Sequence, residues 1–433
     1  MKIRRWGSVL CAVFLLCSVF AISALTGTEE RGEEVSFALN ILAGREQMAK
    51  AVAFSNEISF CEEDFARALN VSSVSSVTIE TLPSRSDGIL YLGGAEVYEG
   101  QTISNSNIRY LKFVFTNREV TDTTFYFATN HGAYSVECSL YYLEYENRAP
   151  IVSAISDAVL SVDTYRDICV FGRMESQDPD GDDLYYEVIS YPSNGILKVT
   201  DRCAGEYIYY PTADYTGADS FRYVAIDRYG NYSSAVTVSL NVENSQTSLV
   251  YSDLLDHQAH VAAVFLTERG IMASTELDGN YYFYPEKSVT RAEFLVMAMK
   301  AAGIAADSKS GKTVFKDDED ISPLHRGYID VAQRMGYVCG KLNDDGDLVF
   351  CPNDPITRYE AAVMLQNIAA LDLPVIKQYF ADGGSVPVWA RDAVAAMTYA
   401  GIMSGTDGYF APTATVSRAQ AAEMLYLWSA YSD

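Results

Sequence analysis

The feature that most constrains the fold of this chain is one short pattern that occurs three times in its C-terminal part. The copies are Val289-Thr290-Arg291-Ala292-Glu293-Phe294, Ile356-Thr357-Arg358-Tyr359-Glu360-Ala361 and Val416-Ser417-Arg418-Ala419-Gln420-Ala421. In each copy a hydroxyl residue is followed three residues later by Glu or Gln and then by apolar residues at helical spacing, which is the pattern of a capping box. It predicts three helices whose starts are capped by Thr290 with Glu293, Thr357 with Glu360, and Ser417 with Gln420.

Each copy also carries an arginine in the first helical turn, at Arg291, Arg358 or Arg418. An exposed cation there meets the positive end of the helix dipole, at a cost of about 0.3–1 kcal/mol. A single such arginine could be solvated, or could form a salt bridge to a nearby aspartate. Because all three copies have it, and because both helix starts and guanidinium groups favour anions, we expect three sites for an acidic ligand.

The capped helix is the last part of a longer repeated layout. Each copy begins with an aromatic residue shortly before an aspartate, namely Asp253, Asp317 or Asp382. An amphipathic helix follows and is predicted to end at a glycine, the usual residue of a left-handed helix C-cap. A turn and an aromatic-x-Pro segment then lead to the capped helix. One helix pair cannot bury its apolar face alone, so we expect the three copies to pack together.

This layout resembles the surface-layer homology (SLH) family, in three repeats at residues 248–306, 312–373 and 376–433. The resemblance implies an all-α, three-lobed domain whose grooves hold an acidic, often pyruvylated, secondary polysaccharide attached to peptidoglycan. Carried over by position, the groove residues would be Arg291, Arg358, Arg418, Asp253, Asp317, Asp382 and Trp389. Trp389 could stack on a sugar ring, or it could equally be a core residue.

The three copies depart from the family pattern to different degrees. The third copy has Ser417 and Gln420 where the family prefers Thr and Glu, and the second has Tyr359 where Ala is usual. Only the third has the family's aromatic residue, Trp389, at the start of its first helix. We therefore expect the grooves to be unequal, with one or two of them functional.

Residues 51–146 and 147–244 consist of short segments rich in β-branched and aromatic residues, separated by Gly, Asn, Asp and Pro, which predicts strands and turns. The two blocks align with each other, for example at Leu82-Pro83-Ser84 and Tyr191-Pro192-Ser193. They predict two tandem β-sandwiches. The second resembles the cadherin-like and immunoglobulin-like repeats of bacterial surface proteins, through Asp178-Pro179-Asp180-Gly181-Asp182-Asp183-Leu184 and Tyr215-Thr216-Gly217. That resemblance implies spacer or adhesive modules.

The acidic turn of the second block offers four carboxylates, on Asp178, Asp180, Asp182 and Asp183. Clustered carboxylates are the ligands that calcium prefers, although the distal Glu of an EF-hand loop is missing here. Asp, Pro and Gly also form a stable turn without a metal. Both interpretations stay open, and no other cofactor is expected.

Residues 1–24 have the charged start, apolar centre and small-residue end of a secretory signal peptide, and residues 25–50 are expected to form a helix or linker. No later segment is long and apolar enough for membrane insertion after signal removal. The formal net charge is −25, which argues against nucleic acid and anionic membranes as partners. An acidic ligand must therefore be held locally, against long-range repulsion.

Six of the eight cysteines follow the predicted signal peptide, and an even number in an exported chain favours disulfides. The candidate pairs are Cys339 with Cys351, Cys169 with Cys203, and Cys61 with Cys138. Structural free thiols remain the alternative. The spacings do not favour zinc or redox catalysis.

These features predict an exported, non-enzymatic protein at a bacterial cell surface, anchored to a wall polysaccharide by its C-terminal repeats. Other functions remain open. The chain could be a surface-layer lattice subunit, or an adhesin whose sandwiches bind a protein or glycan. A wall-attached, glycan-active enzyme is a third and weaker option, because the four histidines stand in no recognisable catalytic pattern.

Overall fold

The computed structural model describes residues 47–69, 71–129, 135–152, 161–247, 249–309, 311–369, 380–406 and 408–432. The predicted signal peptide lies outside these residues, as do residues 25–46 of the predicted helix or linker. Within the part of the chain described, no helix is long and apolar enough to cross a membrane.

The first module is a β-sandwich. Its strands are β1 (Gln47–Ala53), β2 (Glu57–Ser59), β3 (Ser76–Thr81), β4 (Gly88–Leu92), β5 (Ala95–Glu96), β6 (Thr102–Ser104), β7 (Leu111–Phe115), β8 (Asp122–Thr129) and β9 (Val136–Leu143), and its helices are α1 (Glu62–Ala68) and α2 (Asn105–Ile108). The two sheets have the strand orders β1-β9-β8-β3-β6 and β2-β7-β4-β5.

The boundary predicted for this module needs a correction. Residues 47–50 belong to β1, which pairs in parallel with β9, and not to a helix or linker. Pairing with a sheet gives this segment hydrogen-bond partners that its local sequence does not reveal. Buried and exposed side chains alternate along strands such as β8, where Phe125 and Phe127 are fully buried and contribute to the core. Phe65 of α1 covers Phe127 edge-on, with ring centroids 4.9 Å apart.

The second module is a smaller β-sandwich. Its strands are β10 (Ser161–Tyr165), β11 (Val170–Arg173), β12 (Leu184–Ser190), β13 (Gly195–Asp201), β14 (Glu206–Pro211), β15 (Gly217–Asp227) and β16 (Val236–Glu243). The sheets have the orders β10-β16-β15-β12 and β11-β14-β13. As in the first module, the first strand pairs in parallel with the last, β10 with β16. Both modules therefore share one strand topology.

The C-terminal unit contains helix pairs and short hairpins. Its elements are α3 (His260–Glu268), β17 (Thr275–Leu277), β18 (Asn280–Tyr282), α4 (Arg291–Ala301), α5 (Pro323–Arg334), β19 (Lys341–Leu342), β20 (Leu348–Val349), α6 (Arg358–Ala369), α7 (Arg391–Tyr399) and α8 (Arg418–Ser432), with 3-10 turns at Asp318–Asp320, Gly383–Ser385 and Val388–Ala390. The hairpins correct the all-α prediction. Asp-Gly turns with positive φ at Asp278, Gly279 and Gly346 reverse the chain and let the flanking residues pair.

The helices pack in a closed cycle. The capped helix of each repeat lies against the first helix of the next: α4 against α5, α6 against α7, and α8 against α3. At the centre, three buried residues form a ring of backbone hydrogen bonds. Val289 N donates to Val416 O (2.9 Å), Val416 N to Ile356 O (2.9 Å), and Ile356 N to Val289 O (3.0 Å). The third repeat thus closes onto the first.

The six cysteines among the described residues are free, which corrects the predicted disulfides. Cys138 is buried in the first sandwich whereas Cys61 is exposed, and in the second module Cys169 is buried whereas Cys203 is exposed. Burial raises the pKa of the Cys138 thiol well above its usual value. Cys339 and Cys351 flank the β19–β20 hairpin. The backbone pairing of the two strands ends at Lys341 and Val349, next to positive φ angles at Gly340 and Cys351, and so does not include the two cysteines.

Candidate functional site

The three aspartates of the repeat each anchor a turn. Asp253 accepts hydrogen bonds from the N–H groups of Phe283 and Tyr284, Asp317 from those of Phe350 and Cys351, and Asp382 from those of Phe410 and Ala411, at shortest distances of 2.7–2.9 Å. The second residue of each turn has positive φ, 58° at Tyr284, 58° at Cys351 and 54° at Ala411. Such a backbone needs outside support when the residue is not glycine. The aspartates supply it.

Burial by itself would raise the pKa of Asp382. The N–H donors of Phe410 and Ala411, with the nearby Arg358 guanidinium, outweigh that effect and lower the pKa below its usual value. This aspartate is therefore held ionised by the turn that it supports.

The three arginines join one repeat to the next. Arg291 Nε donates to Phe350 O (3.1 Å), Arg358 Nε to Phe410 O (2.8 Å), and Arg418 Nε to Phe283 O (2.7 Å). Each guanidinium also lies over the ring of the same phenylalanine, at 5.3, 4.7 and 4.6 Å from the ring centroid. Each arginine in the first turn of a capped helix thus has its partner in the neighbouring repeat. Local sequence patterns did not reveal these partners.

The environments of the arginines differ. The carboxylate of Glu360 lies 3.1 Å from Arg291, and the two side chains are only 6% and 5% exposed. Lys341 also contacts Glu360, at 2.6 Å. Burial would raise the pKa of Glu360, but Lys341, the Thr357 N–H and Arg291 outweigh it, so the pKa is lowered. Arg291 is thereby neutralised within the protein.

Arg358 and Arg418 make a second bond to a carbonyl group. Arg358 Nη2 donates to Ser404 O and Arg418 Nη2 to Ala273 O, at 2.5 and 2.8 Å. Neither has a carboxylate within 4.0 Å among the residues described. Burial lowers the pKa of both guanidinium groups. The residue that corresponds to Glu360 is Gln420 beside Arg358 and Glu293 beside Arg418.

A cavity of about 360 Å³ opens beside Arg358, where all three repeats meet. The third repeat supplies Tyr409, Gln420 and Glu423, and the first supplies Gln258. Glu423 Oε1 is buried without a hydrogen-bond partner. Burial raises the pKa of Glu423 despite a hydrogen bond to Gln258. A cation, polar acceptors and apolar walls thus converge in one concave site, as in small-molecule pockets.

The capping residues lie at their predicted helix starts. Thr290 and Glu293 exchange both bonds of the capping box, at 3.2 and 2.9 Å, and so do Ser417 and Gln420, at 3.3 and 3.1 Å. At α6, Thr357 N donates to Glu360 (3.0 Å). Glu360 thus has two contacts: it caps the start of α6 and forms an ion pair with Arg291.

Trp389 lies on the surface and not in the core. Its side chain is 66% exposed, and it meets Tyr359 edge-on with ring centroids 5.7 Å apart. It is absent from the lining of the cavity beside Arg358. The structure therefore does not bring it together with that arginine.

The acidic turn of the second module contributes two of its four aspartates to a cluster. Oxygens of Asp178, Asp182 and Asp227 lie within 4.8 Å of one another. Asp178 Oδ2 and Asp182 Oδ2 are buried without hydrogen-bond partners. Asp180 pairs with Arg148 instead (Nε to Oδ1, 2.9 Å), and Asp183 stays outside the cluster. Sequence analysis did not identify Asp227 as a member of this cluster, because it lies 45 residues beyond Asp182 in the chain.

Like charges crowd this cluster. Burial, followed by Asp178 and Asp227, raises the pKa of Asp182. Burial also raises the pKa of Asp227, despite donors from Asn231 and Asn147. A hard divalent cation that prefers oxygen ligands would relieve both effects.

Comparisons with known proteins agree with this architecture. Residues 379–422 match the model of the S-layer homology domain, and residues 147–241 match that of a bacterial Ig domain. Two solved structures show a weak similarity. They are Drosophila N-cadherin EC1-3 (10% identity, covering 46% of this chain and 64% of that chain, TM-score 0.22) and the tandem Ig repeats of Dlar (12% identity, covering 46% and 95%, TM-score 0.18).

Curated relatives match in part. An endoglucanase of Bacillus sp. (strain KSM-635) is 36% identical over 160 residues, which are 35% of this chain and 16% of that protein. An amylopullulanase of Thermoanaerobacterium thermosulfurigenes is 30% identical over 186 residues, 41% of this chain and 9% of that protein. The chain thus spans a small fraction of these relatives, and the activities that their names state belong to them.

The S-layer homology match indicates anchoring at the cell surface or cell wall. Together with the β-sandwich upstream, it defines the organisation of the protein. The chain carries a C-terminal S-layer homology domain preceded by a bacterial Ig domain.

Proposed function

We propose that three S-layer homology repeats anchor this protein non-covalently to an acidic polysaccharide linked to peptidoglycan, and that the two sandwiches act as spacer or adhesion modules. The observation that carries this proposal is the cavity beside Arg358, where a half-buried guanidinium lines a solvent-open site and has no carboxylate within 4.0 Å among the residues described. A fixed cation in a partly desolvated site can hold a sugar carboxylate although the whole chain is acidic.

Co-sedimentation of the full chain with bacterial sacculi tests this proposal. We expect binding to intact sacculi, and loss of binding once the secondary polysaccharide has been stripped with acid. Equal binding to stripped sacculi would point to peptidoglycan itself and overturn the proposal. Absence of binding to either would overturn the anchoring role as a whole.

We propose display and not catalysis as the role of the chain, because both matched family models describe non-catalytic modules. Incubation with soluble glucans, followed by measurement of new reducing ends, tests this. Glucan cleavage by the purified chain would favour the enzymatic alternative suggested by the names of the relatives. Formation of ordered two-dimensional arrays would favour a lattice subunit instead.

We further propose that the cluster of Asp178, Asp182 and Asp227 binds calcium. Two observations support calcium binding. Two buried carboxylate oxygens of the cluster have no hydrogen-bond partner, and carboxylate oxygens are the ligands that calcium prefers. Titration calorimetry with calcium should show binding that Asp182→Asn abolishes. Asp183→Asn, outside the cluster, should bind as the parent chain does. Equal binding by parent and D182N would contradict the site.

A further inference from the structure

We propose that the cleft between the two sandwich modules binds a neutral sugar, held between the guanidinium of Arg67 and the carboxylate of Glu187. The inference rests on the adhesion role proposed for the sandwiches, and it adds the ligand class and the residues that bind it. It does not involve the C-terminal repeats or the calcium cluster.

Both modules form this cleft, which has a volume of about 300 Å³ and opens to solvent. The first module contributes Arg67 of α1 and Val71, which follows that helix. The second contributes the outer face of β12 and β15 and the segment that leads into β16. Small-molecule sites occur preferentially at domain interfaces, with volumes of roughly 300–1,000 Å³. The size of the cleft therefore suits one small ligand, such as a single sugar unit.

Glu187 gives the cleft a hydrogen-bond acceptor. It lies on β12, the edge strand of its sheet, opposite Val224 of β15, and its side chain is half-buried. Among the described residues it accepts no hydrogen bond, and Arg202 stabilises its charge only from beyond 4.0 Å. Burial raises the pKa of Glu187 more than Arg202 lowers it. A partly desolvated carboxylate without a donor is unfavourable, so a donor on a ligand would stabilise it.

Arg67 gives the cleft its hydrogen-bond donors. Its guanidinium lies over the ring of Tyr232, 4.9 Å from the ring centroid, and Nη2 donates to Glu63. These two contacts fix the position of the guanidinium plane. Within the part of the chain described, its other N–H groups have no acceptor, and the side chain is 49% exposed. They are therefore available to a ligand in the cleft.

The two opposite charges favour a ligand without net charge. An anion attracted by Arg67 would meet Glu187, and a cation attracted by Glu187 would meet Arg67. A sugar hydroxyl both donates and accepts, so neighbouring hydroxyls can bond to Glu187 and to Arg67 together. Val71, Ile189 and the Tyr232 ring supply apolar surface for the C–H groups of the sugar ring. The cleft thus has each element that a neutral sugar needs.

Titration of the full chain with cellobiose, maltose and lactose, followed by saturation-transfer difference NMR, tests this site. We expect at least one of these sugars to bind. Glu187→Ala removes the acceptor and should weaken that binding about tenfold. Ala235→Trp fills the cleft from an exposed position without shortening any side chain, and should abolish binding. The matched controls, Glu206→Ala and Ala213→Trp, are exposed positions of the same module outside the cleft and should bind as the parent chain does.

Three results would overturn the inference. The first is that the parent chain binds none of the three sugars. The second is sugar binding that neither Glu187→Ala nor Ala235→Trp weakens, because the sugar then lies elsewhere. The third is binding of L-leucine in place of the sugars, because a zwitterion carries the same pair of opposite groups. Melting temperatures equal to that of the parent chain establish that the variants fold, and Ala235→Trp decides alone if Glu187→Ala does not fold.

Co-sedimentation with sacculi separates this inference from wall anchoring. All variants should bind sacculi as the parent chain does, because the cleft lies outside the C-terminal repeats. A parent chain that binds sacculi and no sugar would overturn the sugar site and leave the anchor in place. A parent chain that binds a sugar in the cleft and no sacculi would support the sugar site and overturn the anchor.

Discussion

At the scale of single residues, the arginines have a structural role that the sequence did not reveal, beside the ligand binding that we propose for them. Each links two repeats through the carbonyl and ring of a phenylalanine. In addition, Arg291 forms an ion pair with Glu360, Arg358 lines a cavity, and Arg418 donates to the Ala273 carbonyl. A simultaneous loss of all three would therefore impair both folding and binding.

The buried ion pair gives a stability prediction. Arg291→Ala should destabilise the C-terminal unit by about 3 kcal/mol, because it removes an inter-repeat bond and leaves Glu360 without one of its buried partners. Calorimetric unfolding measures the change. Lys316→Ala, at an exposed position, serves as the control and should unfold as the parent chain does. A shift as small as that of the control would show that Lys341 alone satisfies Glu360.

His260 gives a prediction about pH. Burial lowers its pKa from 6.5 to about 4, and its Nε2 accepts the Tyr251 N–H. Between these values the unfolded chain binds more protons than the folded one, so the free energy of unfolding should fall as the pH decreases from about 6.5 to about 4. At 1.36 kcal/mol per pKa unit the loss is roughly 3 kcal/mol.

The measurement is the pH dependence of thermal unfolding for the parent chain and for His260→Gln. Since carboxylates also titrate in this range, the difference between the two profiles isolates the histidine. The variant should lose less stability on acidification. Parallel profiles would mean that His260 is not held neutral in the folded protein.

At the scale of elements, the turns before the capped helices depend on the aspartates that sequence analysis had assigned to ligand binding. Their carboxylates bond to consecutive N–H groups of a left-handed turn, and that turn presents the phenylalanine carbonyl to the arginine of the preceding repeat. Aspartate, turn, phenylalanine and arginine form one connected unit. Each such unit needs one aspartate and one arginine, so both residues recur in every repeat.

The turn predicts the effect of an aspartate variant. Asp317→Ala removes the acceptor of the Phe350 and Cys351 N–H groups and should destabilise the C-terminal unit by about 1–3 kcal/mol. Thermal unfolding checks this against Asp344→Ala, which changes an exposed aspartate in the β19–β20 hairpin. If both variants unfold at the parent temperature, Asp317 does not support the turn.

At the scale of the whole molecule, neighbouring units contact each other. Tyr141 of the first module meets Tyr229 of the second edge-on at 5.1 Å, and Arg67 lies over the Tyr232 ring at 4.9 Å. The second module and the C-terminal unit share one continuous set of buried apolar residues. The first module is therefore docked against the second, and the second against the C-terminal unit.

Gly230 tests the docking of the two sandwiches. A Cβ at this position would lie 2.0 Å from Ala49 O of the first module, and its φ is +87°. Gly230→Ala should therefore separate the modules and increase the radius of gyration in X-ray scattering. Gly100→Ala has a similar φ of +81° and no atom near its Cβ, so it controls for backbone strain of about 1–2 kcal/mol. Equal scattering by both variants would refute the docked arrangement.

The sequence by itself determined the local structure. Capping boxes, C-terminal glycines and strand alternation act through hydrogen bonds and side chains a few residues apart, so the helix starts at Thr290, Thr357 and Ser417 could be predicted. The similar pattern of strand and turn segments in the two sandwich modules was likewise visible in the sequence. The N-terminal segment predicted export, and the net charge argued against nucleic acid as a partner.

Only the tertiary structure decided the partners of these groups. Arg418 bonds to Phe283, 135 residues away, and Asp227 joins Asp178 and Asp182 across a sandwich edge. β1 pairs with β9, which lies far from it in the sequence, and the six described cysteines are unpaired. Contacts of this kind depend on which repeat packs against which. Which repeats pack together follows from closure of the three-repeat ring and from burial of the apolar helix faces, and no pattern within a single repeat predicts it.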